Sequence, residues 1–262
     1  MNYGDRPAPL AIAHRGGGGL AAENTLDAFA RSYALGLRFL ETDVRITADG
    51  HLVAFHDATL GRVTPARGLV RRRTLAELVR LPVLNAGRVL PLADLLAAFP
   101  DASLLIDVKE SATIVPLARL LCASAATRRV CVAGMRNCWL AQLSRLVGPE
   151  LCTALSWRAL AALATPRRVD ANLAGRFAHV PLRLGRLPVF TEDLVPRAHA
   201  ASVRVVVWTV NDPATMHRLL DCGVDGIITD RPDLLREVLV ARGQWHAPDS
   251  YGASPTVSDL VS

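Results

Sequence analysis

The chain has 262 residues, a formal net charge of +6 and 51% hydrophobic residues. That length supports one large core and is ordinary for a single α/β barrel. An aromatic content of 5% and widely scattered arginines exclude a nucleic-acid surface, which needs clustered cations with aromatic rings between them.

In chain order, short apolar runs alternate with amphipathic ones. After a lead over 1–9, the run 10–14 (LAIAH) reads as a strand ending in His14-Arg15-Gly16. The stretch 15–19 (RGGGG) follows, and its backbone N–H groups can approach a phosphate closely. A helix is expected over 25–36, with Asn24 as its N-cap and Asp27 three residues on. The second strand is 39–44, continuing into Arg45 and Ile46. Positions two apart share a face, so Leu40, Thr42, Val44 and Ile46 point one way and Glu41, Asp43 and Arg45 the other. The turn TADG at 47–50 sends the chain back as a strand over 51–57 that carries His56. An excursion over 58–102 follows, with helical pieces near 74–81 and 92–99. The strand 103–108 (SLLIDV) then runs into Asp107-x-Lys109. Strands at 130–133, 151–155, 177–182, 203–209 and 226–229 complete the set, interleaved with helices at 113–125, 137–147, 157–164, 192–201, 213–221 and 233–241. Eight such units in this length predict an α/β fold, a (β/α)8 TIM barrel over 10–241, with a small insertion between the second and third core strands. A doubly wound open sheet is the competing arrangement. The polar tail over 242–262, with scattered Pro, Gly and Ser, is expected to be disordered.

The basic balance suits an anionic substrate. Lys109 is the one lysine among the cations, and the dense run Arg71-Arg72-Arg73 reads as a solvated loop. The five cysteines (Cys122, Cys131, Cys138, Cys152, Cys222) have no CxxC spacing, which argues against a disulfide framework or a zinc site. They read mostly as buried small apolar residues in a reduced compartment. No apolar signal core opens the chain and no run is long enough to span a membrane, so stable membrane insertion is not expected and a cytoplasmic location is.

In a barrel, functional groups collect at the C-terminal ends of the strands. The polar residues that interrupt the apolar strands fall there: His14-Arg15, Glu41-x-Asp43, Asp107-x-Lys109, Trp208-Thr209 with Asn211, and Thr229-Asp230. Glu41 and Asp43 repel each other, and Asp107 on the neighbouring strand adds a third carboxylate. A divalent cation would relieve that repulsion, and oxygen-only ligands favour Mg2+ or Ca2+ over zinc. A salt-bridged cluster with Arg15, Arg45 and Lys109 would also relieve it. His14 and His56 flank the carboxylates in sequence order and suit general acid–base chemistry near neutral pH.

The motifs AHRG (13–16), ENT (23–25), ETDVRITADGHLVAFHDATLGRVT (41–64), LLIDVK (104–109), VVWTVND (206–212) and GVDGIITDRPDLL (223–235) resemble those of the glycerophosphodiester phosphodiesterases. The resemblance spans roughly residues 11–240. It implies a TIM barrel, a divalent metal and hydrolysis of a small-molecule glycerophosphodiester to glycerol 3-phosphate and an alcohol. Carried over by position, it implies His14 and His56 as the acid–base pair and Glu41, Asp43 and Asp107 as metal ligands. Arg15 and Lys109 would bind the phosphate, and Trp208 would line the pocket. Asp107 stands where the family more often has glutamate, Ala22 where it often has proline, and the excursion over 58–102 is short. A phospholipase D acting on lysophospholipids or sphingolipids, and a phosphodiester-binding protein without turnover, are the competing readings.

Overall fold

The computed structural model describes residues 2–5, 7–165 and 176–246. Eight parallel strands form the barrel: β1 Leu10–Ala13, β2 Phe39–Ile46, β3 Ser103–Val108, β4 Val130–Gly134, β5 Cys152–Thr153, β6 Phe177–Pro181, β7 Arg204–Trp208 and β8 Gly226–Thr229. They pair in sequence order, and β8 returns to β1 with Leu10 opposite Gly226. Between β5 and β6 the ring closes through one bridge, Ala154 to Phe177. The barrel expected from the sequence is therefore the fold, and the open sheet is not.

Each strand is followed by a helix: α1 Leu26–Ala34, α2 Leu92–Ala98, α3 Ile114–Ala123, α4 Asn137–Val147, α5 Trp157–Ala164, α6 Leu194–Ala200, α7 Pro213–Asp221 and α8 Pro232–Ala241. Parallel strands need such crossovers, and the helices cover the outer face of the sheet. Alternation sorts the side chains. Leu40, Val44, Leu104, Ile106, Val130 and Val132 point outward into the core shared with the helices. Leu10, Ile12, Phe39, Leu105, Cys131, Phe177, Val206 and Ile228 fill the barrel interior. Glu41 and Asp43 continue the register of Phe39, so the two acids face inward, near the C-terminal end of β2. At the opposite end Tyr3, from the N-terminal lead, plugs the barrel. Its ring packs edge-on against Phe39 at 5.4 Å and Phe177 at 5.3 Å.

Three expectations need correction. The insertion expected over 58–102 is shorter, because the helical piece expected near 92–99 is α2, the crossover that returns the chain to the barrel. The insertion proper is a small layer with its own core, built from Val53, Phe55, Leu60, Val63, Val70, Leu78, Val83 and Val89. Its strand Leu52–Ala54 pairs antiparallel with β2, which hangs His56 beside the barrel mouth. The N-cap of α1 is Thr25, whose hydroxyl accepts from Ala28 N, and not Asn24. Of the five cysteines, all free, only Cys131 and Cys152 are buried, while Cys122 and Cys138 are exposed. Most of the expected tail, 247–262, lies outside the described residues, but Trp245 packs against the outer core. Among the described residues no helix is long and apolar enough to cross a membrane.

Candidate active site

The C-terminal mouth of the barrel holds a cavity of about 120 Å³, open to solvent, and the eight residues given catalytic, phosphate-binding, pocket or metal roles from the sequence line it: His14, Arg15, Glu41, Asp43, His56, Asp107, Lys109 and Trp208. They come from the ends of β1, β2, β3 and β7 and from the insertion. A conformational detail at β1 turns two of them inward. Arg15 takes a left-handed backbone (φ 50), and its N–H donates to Glu41 Oε2 at 2.8 Å. The glycines behind it serve close packing. A Cβ on Gly17 would lie 2.5 Å from Ser32 Oγ, and one on Gly19 would lie 2.7 Å from the Asp230 carbonyl oxygen.

Each histidine has a carboxylate at Nδ1. For His14 it is Asp230, at 2.7 Å, which also accepts from the Asn211 amide at 2.8 Å. For His56 it is Asp57, at 2.6 Å, which Arg62 also contacts at 2.5 Å. Such a pair fixes the tautomer and leaves Nε2 free of the carboxylate. His56 is steadied further by Arg45, whose guanidinium donates to the His56 carbonyl at 3.0 Å and 3.1 Å. Arg45 therefore does not join the carboxylate cluster, contrary to one expectation, and pairs instead with Glu110 at 3.8 Å.

The carboxylates are unevenly compensated. Lys109 Nζ lies 2.8 Å from Asp43 and 2.5 Å from Asp107. Arg15 Nε lies 3.3 Å from Asp43, and its Nη1 reaches Glu23 at 2.9 Å. Burial would raise the Asp43 carboxyl, but Lys109 and Arg15 hold it below the usual range. Burial wins at Asp107 and pushes it up despite Lys109. Glu41 has the least compensation, and burial together with repulsion from Asp43 pushes it up to about 7. At His14 burial opposes the charge, yet the Asp230 bond and the Glu41 and Asp230 charges outweigh it and raise the pKa. At His56 burial wins and lowers it.

The sequence profile of the Glycerophosphoryl diester phosphodiesterase family matches residues 14–123 and 139–234. The chain belongs to this family. It is 39% identical over 254 residues to a probable glycerophosphodiester phosphodiesterase 2 of Mycobacterium tuberculosis, covering 94% of this chain and 95% of that one. It is 30% identical to a glycerophosphodiester phosphodiesterase of Caldanaerobacter subterraneus, covering 86% and 96%. Among solved structures, a putative glycerophosphoryl diester phosphodiesterase from Silicibacter pomeroyi superposes with a TM-score of 0.77 at 26% identity, covering 92% and 97%. An Oleispira antarctica phosphodiesterase in complex with the product sn-glycerol-3-phosphate shares the fold, with a TM-score of 0.74 at 23% identity and coverage of 89% and 97%.

Several residues of this family member act around the site without having been given a role there; of these, Asn211 and Asp230 had been noted only as polar strand-end groups. Glu23 accepts from Arg15 and from Arg62 (2.6 Å and 2.7 Å), so Arg15, Glu23, Arg62, Asp57 and His56 form one chain of ion pairs around the mouth. Asn24 adopts φ 56, donates to Asp43 at 3.3 Å and accepts from Thr42 at 2.8 Å, which explains why it does not cap α1. Glu23, Asn24, Asp57, Asp230 and Asn211 all lie within the motifs already quoted, but spacing alone does not tell a brace from a ligand. Trp157, from the first turn of α5, meets Trp208 edge-on at 6.5 Å and had no sequence signal.

Proposed function

We propose that this chain hydrolyses glycerophosphodiesters to sn-glycerol 3-phosphate and an alcohol, using a bound divalent cation with His14 and His56 as the acid–base pair. The observation that carries the reading is the pair of carboxylate-backed histidines flanking a cluster of inward-facing acids and cations in one open cavity.

The cation needs a test of fit. Among the described residues no three His, Cys, Asp or Glu side chains stand close enough together to hold a metal as they are. The chemistry of the donors nevertheless fits a hard ion: the set is all oxygen, and Glu41, pushed up to about 7 by burial and by repulsion from Asp43, is only partly compensated by the His14 ring 4.0 Å away. Lys109 stands between Asp43 and Asp107, where positive charge is needed. Glu41, Asp43 and Asp107 would hold Mg2+ or Ca2+, which when bound supplies positive charge to the phosphoryl oxygens and the attacking oxygen.

Arg15 and Lys109 are the chain's own cations for the phosphodiester. The histidines divide the proton work. Beside His14, Asp230 hydrogen-bonds a neutral amide and feels the Arg15 charge at longer range, whereas Asp57 is in direct contact with Arg62. The imidazolium form is thus better supported at His14, which makes His14 the donor to the departing alkoxide. His56 accepts the proton of the attacking oxygen, which is either water or the glycerol 2-hydroxyl; in the second case a cyclic phosphate forms and water then opens it, with the proton roles of the two histidines reversed. By the direct route one P–O bond forms to water and the P–O bond to the alcohol breaks; by the cyclic route the P–O bond to the 2-hydroxyl forms as the alcohol leaves and breaks as water adds, and in each step one proton is taken up and one delivered.

Leu155, Leu160, Trp157 and Trp208 also line the cavity and favour one second reading, a lysophospholipid or sphingolipid whose apolar part rests on that wall. The test uses purified protein with glycerophosphocholine and, separately, lysophosphatidylcholine, each with Mg2+, with Ca2+ and after chelation. The primary reading expects cation-dependent release of glycerol 3-phosphate. Full activity after exhaustive chelation would overturn the metal role, and choline release from the lysolipid alone would favour the second reading. Tight binding of glycerophosphocholine without turnover would point to a binding protein.

A further inference from the structure

Below the charged groups the cavity has a floor. Leu105 of β3 and Ile228 of β8 contribute apolar side chains to it, as does Ala154 just beyond β5. His179 of β6 lines the same cavity and breaks this apolar pattern. β6 stands across the eight-stranded ring from β2, so the imidazole faces the Glu41 and Asp43 wall from the far side. Its ring packs on Phe177, one interior position lower, at 6.1 Å. Its Nε2 is sealed from solvent and has no hydrogen-bond partner among the described residues. Burial alone pulls its pKa down to about 4, so the ring is neutral at ordinary pH.

A buried polar atom without a partner is costly, and the neighbouring floor positions show that an aliphatic side chain suits this layer. An unpaired imidazole therefore calls for a partner from the cavity. A hydroxyl from the cavity serves Nε2 in either tautomer, accepting from Nε2–H or donating to its lone pair.

We propose that His179 hydrogen-bonds a hydroxyl of the substrate's glycerol moiety, making the barrel floor a hydroxyl subsite. This rests on the hydrolase reading above. Arg15 and Lys109 hold the phosphate at the β1–β3 side, and the substrate has two arms. The leaving alcohol varies in size and must depart, so it takes the open side. The glycerol is small and the same in every substrate, so it takes the closed floor. Its hydroxyls both donate and accept, as a neutral imidazole does, and a site built around such a bond discriminates against analogues that lack the hydroxyl.

The experiment compares wild type with His179→Leu, His179→Ala and His179→Asn, each with the divalent cation. The substrates are glycerophosphocholine and bis(4-nitrophenyl) phosphate, which carries no glycerol. Loss of one hydrogen bond to the substrate predicts that the ratio of kcat/KM values, glycerol substrate over nitrophenyl substrate, falls about tenfold in the Leu and Ala variants. Most of the change should lie in KM, and the Asn variant, which keeps a donor, should recover part of it. An unchanged ratio in whichever of the Leu and Ala variants folds would overturn the subsite. So would equal losses on both substrates, which indicate a structural or general catalytic role. Wild type that turns over neither substrate counts against the hydrolase reading instead. The contact is then read from binding of sn-glycerol 3-phosphate relative to inorganic phosphate. That preference should narrow in the variants, and a preference that does not narrow overturns the proposal.

Discussion

Asp230 is the sharpest place to perturb the proposed acid–base pair without touching a group that meets the substrate. Asp230→Ala removes the acceptor that lies 2.7 Å from His14 Nδ1. A hydrogen bond to a charged group contributes about 1.5–3 kcal/mol, and each 1.36 kcal/mol is a factor of ten in rate, so kcat should fall about 10- to 150-fold. The local backbone has other support. The Asn211 side-chain Oδ1 still accepts from the backbone N–H of residue 230 at 2.9 Å and from the Thr229 hydroxyl at 3.1 Å. The loss should thus appear in kcat more than in KM, with the melting temperature nearly unchanged. Asp230→Asn keeps an acceptor for Nδ1–H but loses the charge, and should fall between the alanine variant and wild type. The assay is the initial rate of glycerol 3-phosphate release from glycerophosphocholine, with circular dichroism as the fold control. A folded Asp230→Ala enzyme with kcat within twofold of wild type would refute the claim that this carboxylate sets up His14 for proton transfer.

Lys109→Arg keeps the charge but replaces a compact ammonium, seated between Asp43 and Asp107, with a wider planar fork. It should lose most of its turnover, about tenfold or more, while remaining folded, and near-normal initial rates would show that charge alone suffices. Gly17→Ala meets Ser32 Oγ at 2.5 Å at a backbone φ of 95, whereas the nearest atom to a Cβ on Gly18 is 3.4 Å away. Thermal denaturation should show Gly17→Ala destabilised by about 2–3 kcal/mol, roughly 4–10 °C, and Gly18→Ala nearly unchanged. Equal melting temperatures for the two variants would contradict the packing role of the loop. His179 contributes to acid sensitivity. Its folded pKa of about 4 lies below the ordinary 6.5, so the unfolded chain binds more protons between those values. Stability from this group is complete above 6.5, falls as pH drops through the window, and is reduced by about 3 kcal/mol near pH 4. Denaturant titrations from pH 7 to pH 4 should show a shallower decline in His179→Asn, and identical slopes would argue against a buried neutral ring.

How much of this was legible beforehand differs by residue. The order and type of the elements were, because alternation with a period of two and amphipathicity with a period of 3.6 are written locally in the chain. So was the pairing of Glu41 with Asp43 on one strand face, and the inward clustering of strand-end polar groups follows once eight βα units close into a ring. Periodicity assigns a residue to a face but does not say which face is inside. Only the barrel turned Glu41 and Asp43 inward. Nor does it name partners. His14 meets Asp230 across 216 positions, and Arg62 meets Glu23 across 39, contacts that exist only because the strands return to one mouth. Asn24 reads as a helix cap by residue type, yet a left-handed backbone turns it toward Asp43, and Thr25 caps the helix instead. His179 gave no sequence signal at all, since a histidine within a strand reads the same whether it is paired, exposed or half-buried with a sealed, unpartnered Nε2. Local chemistry therefore determined the elements and the inventory of reactive groups, while the closure of the barrel decided which groups meet, which are braced, and which are left facing the cavity without a partner.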